Sequence, residues 1–399
     1  MTKYLALSIT LLILLASCSD DDSIVVTAPR VIAPDTYNFE RDGNSSVNFA
    51  GQTTRIKMAE ELISLLKSPG VSIERLDAMI AHEEGSSNFM DPTLNASNKN
   101  VRSKIAASRD FFFTNNTNAQ AIKSDFDAYL TGQVDEVFPA WELTASAGSA
   151  GQLQEAGGGP VRYINAKGLE YDQAFTKGLI GALMIDQINN HYLSTSILDE
   201  GDNRENNTAG ITVAGTNYTT MEHKWDEAFG YLYGAEPDAS NPALNVDSFL
   251  SKYLNRARND SDFAGIENEI YDAFKLGRAA IVAGNYELRD LQASIIRARL
   301  NDIIGIRAVY YLQQAKNSLN TNPAAAFHDL SEGYGFIYSL QFTRDLHDGE
   351  PLFNRNEVTG YLDLLMQGHG FWDVTPATLD QLSAQISSRF SFSIAQAGS

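Results

Sequence analysis

The chain has almost no cysteine. Its 399 residues include one, Cys18, which lies at the end of the first apolar run. If that thiol is modified at a processed N-terminus, none remains for a disulfide, a zinc-thiolate site or a cysteine nucleophile. The sequence therefore excludes these three chemistries.

Basic residues are also scarce. Lysine and arginine number 30 against 50 aspartates and glutamates, which gives a net charge of -20. Nucleic-acid binding needs a basic surface for the phosphates, so this composition argues against a nucleic-acid partner. An acidic surface is compatible with cations, although it more often keeps a secreted protein soluble.

Signatures of known catalytic sites are missing. The sequence has no His-Glu-x-x-His, no Glu-x-x-His pair of the di-iron type, no Gly-x-Ser-x-Gly elbow and no phosphate loop. We therefore expect that the protein is not an enzyme. A hydrolase whose serines and aspartates meet only in the fold is the least favoured alternative.

The first eighteen residues have the pattern of a lipoprotein signal. Lys3 precedes an apolar run over residues 4–15, and Leu15-Ala16-Ser17-Cys18 follows. A charged start, a short apolar stretch and small residues before a cleavage point are typical of secretory signals. We predict a signal peptide over residues 1–17 and a lipid on Cys18 that attaches the protein to a membrane. The alternative is an ordinary signal peptide with a chance cysteine, or a buried N-terminal helix.

Residues 18–50 are predicted to be a tether. Three aspartates follow Ser19, and the stretch with Pro29 and Pro34 has no clear period. The acidic run resembles the signal of surface-exported lipoproteins of the Bacteroidetes type. That resemblance implies an outer-membrane lipoprotein displayed on the cell surface, whereas a plain charged linker would leave it facing the periplasm.

Helical periodicity dominates the rest of the chain. Met58, Leu62, Leu65 and Leu66 share one helix face, and this helix ends at Pro69-Gly70. Further helices are predicted at about 73–83, 101–114, 118–137, 167–194, 219–234, 245–258, 264–284, 286–318, 324–345, 356–367 and 376–387.

Alternating strand patterns are rare by comparison. Residues 210–215 are predicted to be a hairpin or a loop. We expect an all-α fold of one or two antiparallel bundles. A first helical block over 51–155 and a second over 160–399 would be connected by the glycine-rich stretch 148–159.

One segment of the second block repeats. Residues 223–234 align without gaps with residues 328–339, and each copy follows a helix of related texture, over 178–190 and 305–317. This predicts a duplicated helix pair. The identical pairs are His223 with His328, Glu227 with Glu332, Gly230 with Gly335 and Tyr233 with Tyr338.

The histidine and glutamate of each copy are four residues apart. On an α-helix this spacing puts both side chains on one face, where they can bind one cation or each other. Imidazole with carboxylate suits iron, zinc, manganese or copper. We therefore predict metal binding at His223 and Glu227 and at His328 and Glu332. The alternative is that both pairs are intrahelical contacts and the motif repeats because its packing does.

Two more carboxylates are candidates for these sites. Asp226, three residues after His223, competes with Glu227 as the partner of that imidazole. Glu170 precedes the apolar helix over 178–185 and either supplies a further ligand or favours the helix dipole.

The first copy resembles a known motif. Residues 223–227 followed by Leu232-Tyr233-Gly234 resemble the Gly-x-His-x-x-Glu motif of the imelysin-like proteins, extracytoplasmic helical proteins linked to iron. With the lipoprotein start and residues 167–175, the chain from about residue 35 resembles an uncharacterised, imelysin-like family of bacterial lipoproteins. Met221 departs from the motif glycine, and Asp226 stands at the third position after the histidine.

The resemblance implies a function as well as a fold. It implies two helical bundles related by a pseudo-repeat, and binding of iron, haem, another metal or a small ligand near the histidine motif. The alternative function is a structural or interaction lipoprotein that has no ligand site.

Overall fold

Helices make up most of the protein. The structure is a computed structural model that describes residues 30–399. In that range it has sixteen α-helices and two small two-stranded sheets, so the predicted all-α fold class is confirmed. The predicted signal peptide, Cys18 and the first part of the tether lie outside the described residues.

The α-helices follow one another along the whole described range. They are α1 (Ala50–Leu65), α2 (Ile73–Ile80), α3 (Pro92–Asn95), α4 (Arg109–Phe112), α5 (Asn116–Gly132), α6 (Tyr171–Leu179), α7 (Thr195–Leu198), α8 (Asn203–Thr208), α9 (Thr220–Tyr233), α10 (Leu250–Arg258), α11 (Ile266–Val282), α12 (Tyr286–Ser318), α13 (Pro323–Ser339), α14 (Arg355–Leu365), α15 (Pro376–Ser387) and α16 (Ile394–Ala397). Short 3₁₀ turns occur at Arg102–Lys104, Phe138–Ala140, Ala156–Gly158, Ser261–Phe263, Leu340–Phe342 and Gly370–Trp372.

The helix that starts with α6 lies at the centre of the fold. It continues through two π-helical stretches, Ile180–Ile185 and Ile188–Tyr192, and a third π-helical stretch, Gln133–Val137, follows α5. Residues 172–190 are all buried. A helix that is buried on every side belongs inside a protein rather than on its surface.

Two long helices pack beside this centre. Helix α13 contacts α6 on one side and α12 on the other, and α12 also packs against α11 and α15. Residues Val31–Ser399 form one compact unit, so the predicted boundary between the two helical blocks falls inside it. Within residues 30–399, no helix combines the length and the apolar character needed to cross a membrane.

Both sheets are short antiparallel hairpins. Strands β1 (Glu40–Arg41) and β2 (Asn44–Ser45) form the first, and β3 (Gly151–Gln154) pairs with β4 (Val161–Ile164) in the second. The glycine-rich stretch that was predicted to be a plain connection therefore forms part of a hairpin. Its turn uses Gly157 and Gly158, whose φ angles of 74° and 77° suit glycine. Residues 210–215 form a loop.

The helix predicted over 101–114 is broken in the structure. Ala106 has a φ of 45° and separates the turn at Arg102–Lys104 from α4. The backbone N–H groups of Ala107 and Ser108 donate to one oxygen of Asp186, each at 3.0 Å. These long-range hydrogen bonds replace bonds that a continuous helix would make, and local periodicity gives no sign of them.

The two motif helices begin at well-defined caps. Thr219 and Glu222 form a reciprocal capping box at the start of α9. Helix α13 starts with Pro323, and the Asn322 side chain accepts from the N–H of Ala325. These caps place His223 in the first turn of α9 and His328 in the second turn of α13.

The glycine shared by the two motifs allows a close helix approach. A Cβ atom on Gly230 would overlap the Cβ of Phe49, just before α1, and one on Gly335 would overlap the Cβ of Lys177 in α6. The repeated glycine therefore has a packing reason in both copies. Each motif helix packs tightly against the early turns of another helix.

We predict that Gly230→Ala and Gly335→Ala each lower the free energy of unfolding. The added methyl group overfills a packed contact, which costs about 1–3 kcal/mol. Urea denaturation measures the effect. Gly360→Ala is the matched control, because no atom of residues 30–399 lies within 4 Å of the position that a Cβ would take on this glycine of α14. It should be neutral or stabilising by up to about 1 kcal/mol, and equal losses in all three variants would contradict the packing explanation.

Candidate functional site

His223 is half-buried and held in one tautomer. Its Nδ1 lies 3.0 Å from the carbonyl oxygen of Asn48, so Nδ1 carries the proton and donates it. The ring stacks on Tyr218, with 4.6 Å between the centroids. The side chain is 27% exposed, and burial lowers the pKa of His223 below its ordinary value. The neutral ring therefore presents the lone pair of Nε2.

Glu227 lies near this free nitrogen. Its Oε2 is 4.0 Å from Nε2 of His223 and 2.9 Å from Nζ of Lys224, while Oε1 accepts from Gln52 at 3.2 Å. Burial raises the pKa of Glu227, but Lys224 and His223 bring it below its ordinary value. Asn48, Gln52, His223, Lys224 and Glu227 together are called the His223 cluster below.

Positive charge surrounds the His223 cluster. The ammonium groups of Lys104 and Lys224 both lie over the ring of Tyr192, at 5.3 and 5.5 Å from its centroid. Lys104 is half-buried, and burial lowers its pKa to about 8. The charge of Lys104 also interacts with those of Arg55 and Lys99. In a chain of net charge -20, this is a local concentration of cations.

Asp226 points away from His223 into the core. Its carboxylate accepts from the Tyr37 hydroxyl at 2.7 Å, from Nε of Arg278 at 3.1 Å and from the N–H of Asn48 at 3.1 Å. Arg278 is fully buried and also binds Glu222 at 2.9 Å. Asp226 is thus occupied by a structural ion pair, and Glu227 is the carboxylate on the side of His223.

In the second motif copy, the histidine lies between two carboxylates. Nδ1 of His328 lies 2.5 Å from Glu170, and Nε2 lies 3.8 Å from Glu332. Glu332 also pairs with Lys177 at 3.2 Å. Burial lowers the pKa of His328, but hydrogen bonding and charge from Glu170 raise it above its ordinary value. Glu170, Lys177, His328 and Glu332 are called the His328 cluster below.

Most of the predicted site residues lie in one of the two clusters, and the two clusters are separate from each other. His223 meets Glu227, and His328 meets Glu332 and Glu170. No hydrogen bond or ion pair joins one cluster to the other in the part of the chain that the structure describes. In the same residues, no group of three or more histidine, cysteine, aspartate or glutamate side chains is arranged to hold a metal ion.

Several partners in these clusters were not predicted from the sequence. Asn48, Gln52 and Lys177 come from distant parts of the chain, so no local spacing indicates them. Arg278 had a usable signal, because it interrupts the apolar end of α11 and a charge in such a run needs a buried partner. Its partners on α9 depend on the tertiary fold.

The stabilising effect of Glu332 in the His328 cluster depends on pH. Burial raises the pKa of Glu332, but Lys177 and His328 lower it from 4.5 to about 2. Because the folded-state pKa is depressed, Glu332 contributes stability above its ordinary pKa, and this contribution is lost as the pH falls from there toward 2. Glu332→Gln should therefore be less stable than the parent at neutral pH and lose less stability on acidification.

Urea denaturation at neutral pH and at about pH 3 measures both effects. Glu287→Gln, which removes an exposed carboxylate of α12, is the charge-matched control. If Glu332→Gln loses as much stability on acidification as the parent, the assigned ion pair with Lys177 is wrong.

One protein family matches nearly all of the described residues. The family model described as "Domain of unknown function (DUF4856)" matches residues 34–393, which include both clusters. No curated protein and no solved structure matches the chain. The prediction of an uncharacterised domain family is confirmed, and the chain belongs to the DUF4856 family.

Proposed function

We propose that this protein is a binding protein of the cell envelope, whose His223 cluster takes up a transition metal, iron in the first instance, as an anionic chelate or haem. The observation that supports the proposal is the tautomer of His223. Its Nδ1–H is held by a backbone carbonyl, and Nε2 accepts no hydrogen bond from the described part of the chain and lies beside Glu227. Histidines that bind metals commonly donate their other ring N–H in this way.

The charges around His223 favour an anionic guest. Lys224 already neutralises Glu227, and the half-buried Lys104 makes no hydrogen bond or ion pair with any residue among 30–399. A bare cation would be repelled by these ammonium groups, whereas a negatively charged chelate or the propionates of haem would be attracted.

The small number of protein ligands also favours a metal that arrives as a chelate. One imidazole nitrogen and one carboxylate leave most coordination positions of iron to be filled from elsewhere. A chelate or porphyrin brings those ligands with it. The His328 cluster is less suited to this role, because both ring nitrogens of His328 face carboxylates and its pKa is raised.

The location completes the proposal. A signal peptide over residues 1–17 and a lipid on Cys18 would attach the domain to the outer membrane, with the acidic tether favouring the cell surface. The two motif copies would descend from one duplicated helix pair of an imelysin-like ancestor. The proposed role is capture of a ligand, without catalysis.

A structural or interaction lipoprotein is the second candidate function. Its support is that every motif carboxylate already has a partner: Asp226 binds Arg278, Glu227 binds Lys224 and Glu332 binds Lys177. On this interpretation the histidines stabilise packing, and the helices present a surface to another envelope component.

Titration of the chain from residue 19 onward with haemin and with ferric citrate tests the first function. We expect saturable binding, which His223→Ala weakens at least about tenfold because one ligand is lost. His369→Ala is the matched control, since this exposed histidine also has a carboxylate four residues away, Asp373. Absorbance for haemin and tryptophan fluorescence for ferric citrate report the binding.

Lys224→Met separates a chelate from a bare ion. Removing the ammonium group should weaken the binding of ferric citrate and strengthen that of Zn²⁺, because Glu227 becomes free. If the parent chain binds neither haemin nor ferric citrate, the proposal fails. A lower melting temperature of His223→Ala in that case would favour the structural role.

A further inference from the structure

Arg307 is a buried arginine with no counter-ion among the residues that the structure describes. It lies in the apolar middle of α12 and is 4% exposed. Its Nε and Nη2 atoms are buried and have no hydrogen-bond partner among residues 30–399. The guanidinium packs on Tyr310 and Tyr311, at 3.9 and 4.8 Å from the ring centroids, and no carboxylate of the described chain forms an ion pair with it.

The other buried arginines of the described chain all have acceptors for their N–H groups. Arg55 donates to the carbonyl oxygens of Asn100 and Gly51, and the other two bind carboxylates. Arg278 binds Glu222 and Asp226, and Arg289 binds Asp199 and Asp290. An unpaired buried charge is strongly destabilising, because its desolvation is not compensated. Arg307 therefore stands out as a cation whose partner is not part of the described chain.

The free atoms of Arg307 have a specific geometry. Nε–H and one N–H of Nη2 lie parallel on the same edge of the planar guanidinium. This edge is the fork that binds two oxygens of a phosphate or a carboxylate at once. Both atoms of the fork lie beneath the surface and have no hydrogen-bond partner among residues 30–399, so Arg307 can donate to a bidentate oxyanion that reaches them without giving up an existing hydrogen bond.

Arg307 lines a groove of about 550 Å³ between α10 and α12. Arg256 lies on the same groove, is exposed and makes no ion pair within the described residues. Asn255 also lines it; its Oδ1 is occupied by Arg258, which leaves its NH₂ group to donate. Negative groups near the groove include Asp260, which lines it together with Ser399, the last residue of the sequence, and Glu332, which lies close enough to Tyr311 to affect its ionisation.

We propose that this groove binds a tetrahedral oxyanion, inorganic phosphate or the phosphate group of a small monoester. Arg307 supplies the bidentate fork, and Arg256 and the Asn255 amide supply further donors. Two arginines and an amide can satisfy three or four oxygens, which is more than a carboxylate offers. The site lies on α10 and α12, so it is separate from the His223 cluster and does not depend on the proposed metal function.

Isothermal titration with inorganic phosphate at low ionic strength tests the proposal. We expect saturable binding and a rise in melting temperature with phosphate concentration. Arg307→Lys keeps the charge but removes the fork, so affinity should fall at least about tenfold. Acetate at equal ionic strength should bind more weakly than phosphate.

Arg256→Gln keeps the test valid if changes at the buried Arg307 impair folding. This exposed residue can be replaced without disturbing the core, and its loss should weaken phosphate binding severalfold. Arg75→Gln removes the same charge from an exposed arginine of α2 and should bind like the parent. The proposal is overturned if the parent shows no saturable phosphate binding, if acetate binds as tightly, or if both groove variants match the parent.

Discussion

The ion pair between Arg278 and Asp226 orients the region around His223. Arg278 binds two carboxylates of α9 from its position on α11 and also reaches Ser46. The same Asp226 accepts from the N–H of Asn48, whose carbonyl oxygen accepts from His223. The single residue Asn48 thus links the buried charge to the imidazole, through its N–H on one side and its carbonyl oxygen on the other. Burying such charges has a desolvation cost, which is offset here because all three guanidinium nitrogens have acceptors.

The two motif copies show how one spacing supports two electrostatic states. In the first copy, a backbone carbonyl contacts Nδ1, and the histidine is neutral in a cationic environment. In the second, the carboxylate of Glu170 contacts the corresponding nitrogen and raises the pKa of the ring. The difference comes from the segment that each motif helix packs against. The motif itself determines only that histidine and glutamate share a helix face.

Local patterns predicted the helices well where they are long and amphipathic. Helices α12 and α15 have the bounds that periodicity gave, 286–318 and 376–387. Prediction failed where distant groups decide the backbone, as at 101–114, where Asp186 binds the N–H groups of Ala107 and Ser108. The β3–β4 hairpin was missed because its four-residue strands are short and glycines dominate its surroundings.

In the candidate site, too, contacts within one helix could be predicted from the sequence, and contacts between distant segments could not. The pairing of His223 with Glu227 and of His328 with Glu332 follows from a spacing of four on a helix, so the sequence was sufficient. The partners that set their charge, Asn48 and Glu170, lie about 160 to 175 residues away. Arg278 and Arg307 both interrupt apolar runs, yet only Arg278 is neutralised by another of residues 30–399. Only the tertiary contacts distinguish the two arginines.

The π-helical stretches in the central helix affect which neighbouring segments its side chains contact. Each wide turn accommodates an extra residue, which rotates everything after it by roughly 100° about the axis, one residue's share of a 3.6-residue turn. Lys177, before the first stretch, therefore faces α13, while Asp186, after it, is free to face residues 107 and 108. One helix can thereby contact neighbours on different sides, because the π-helical turns change the direction in which its later side chains point.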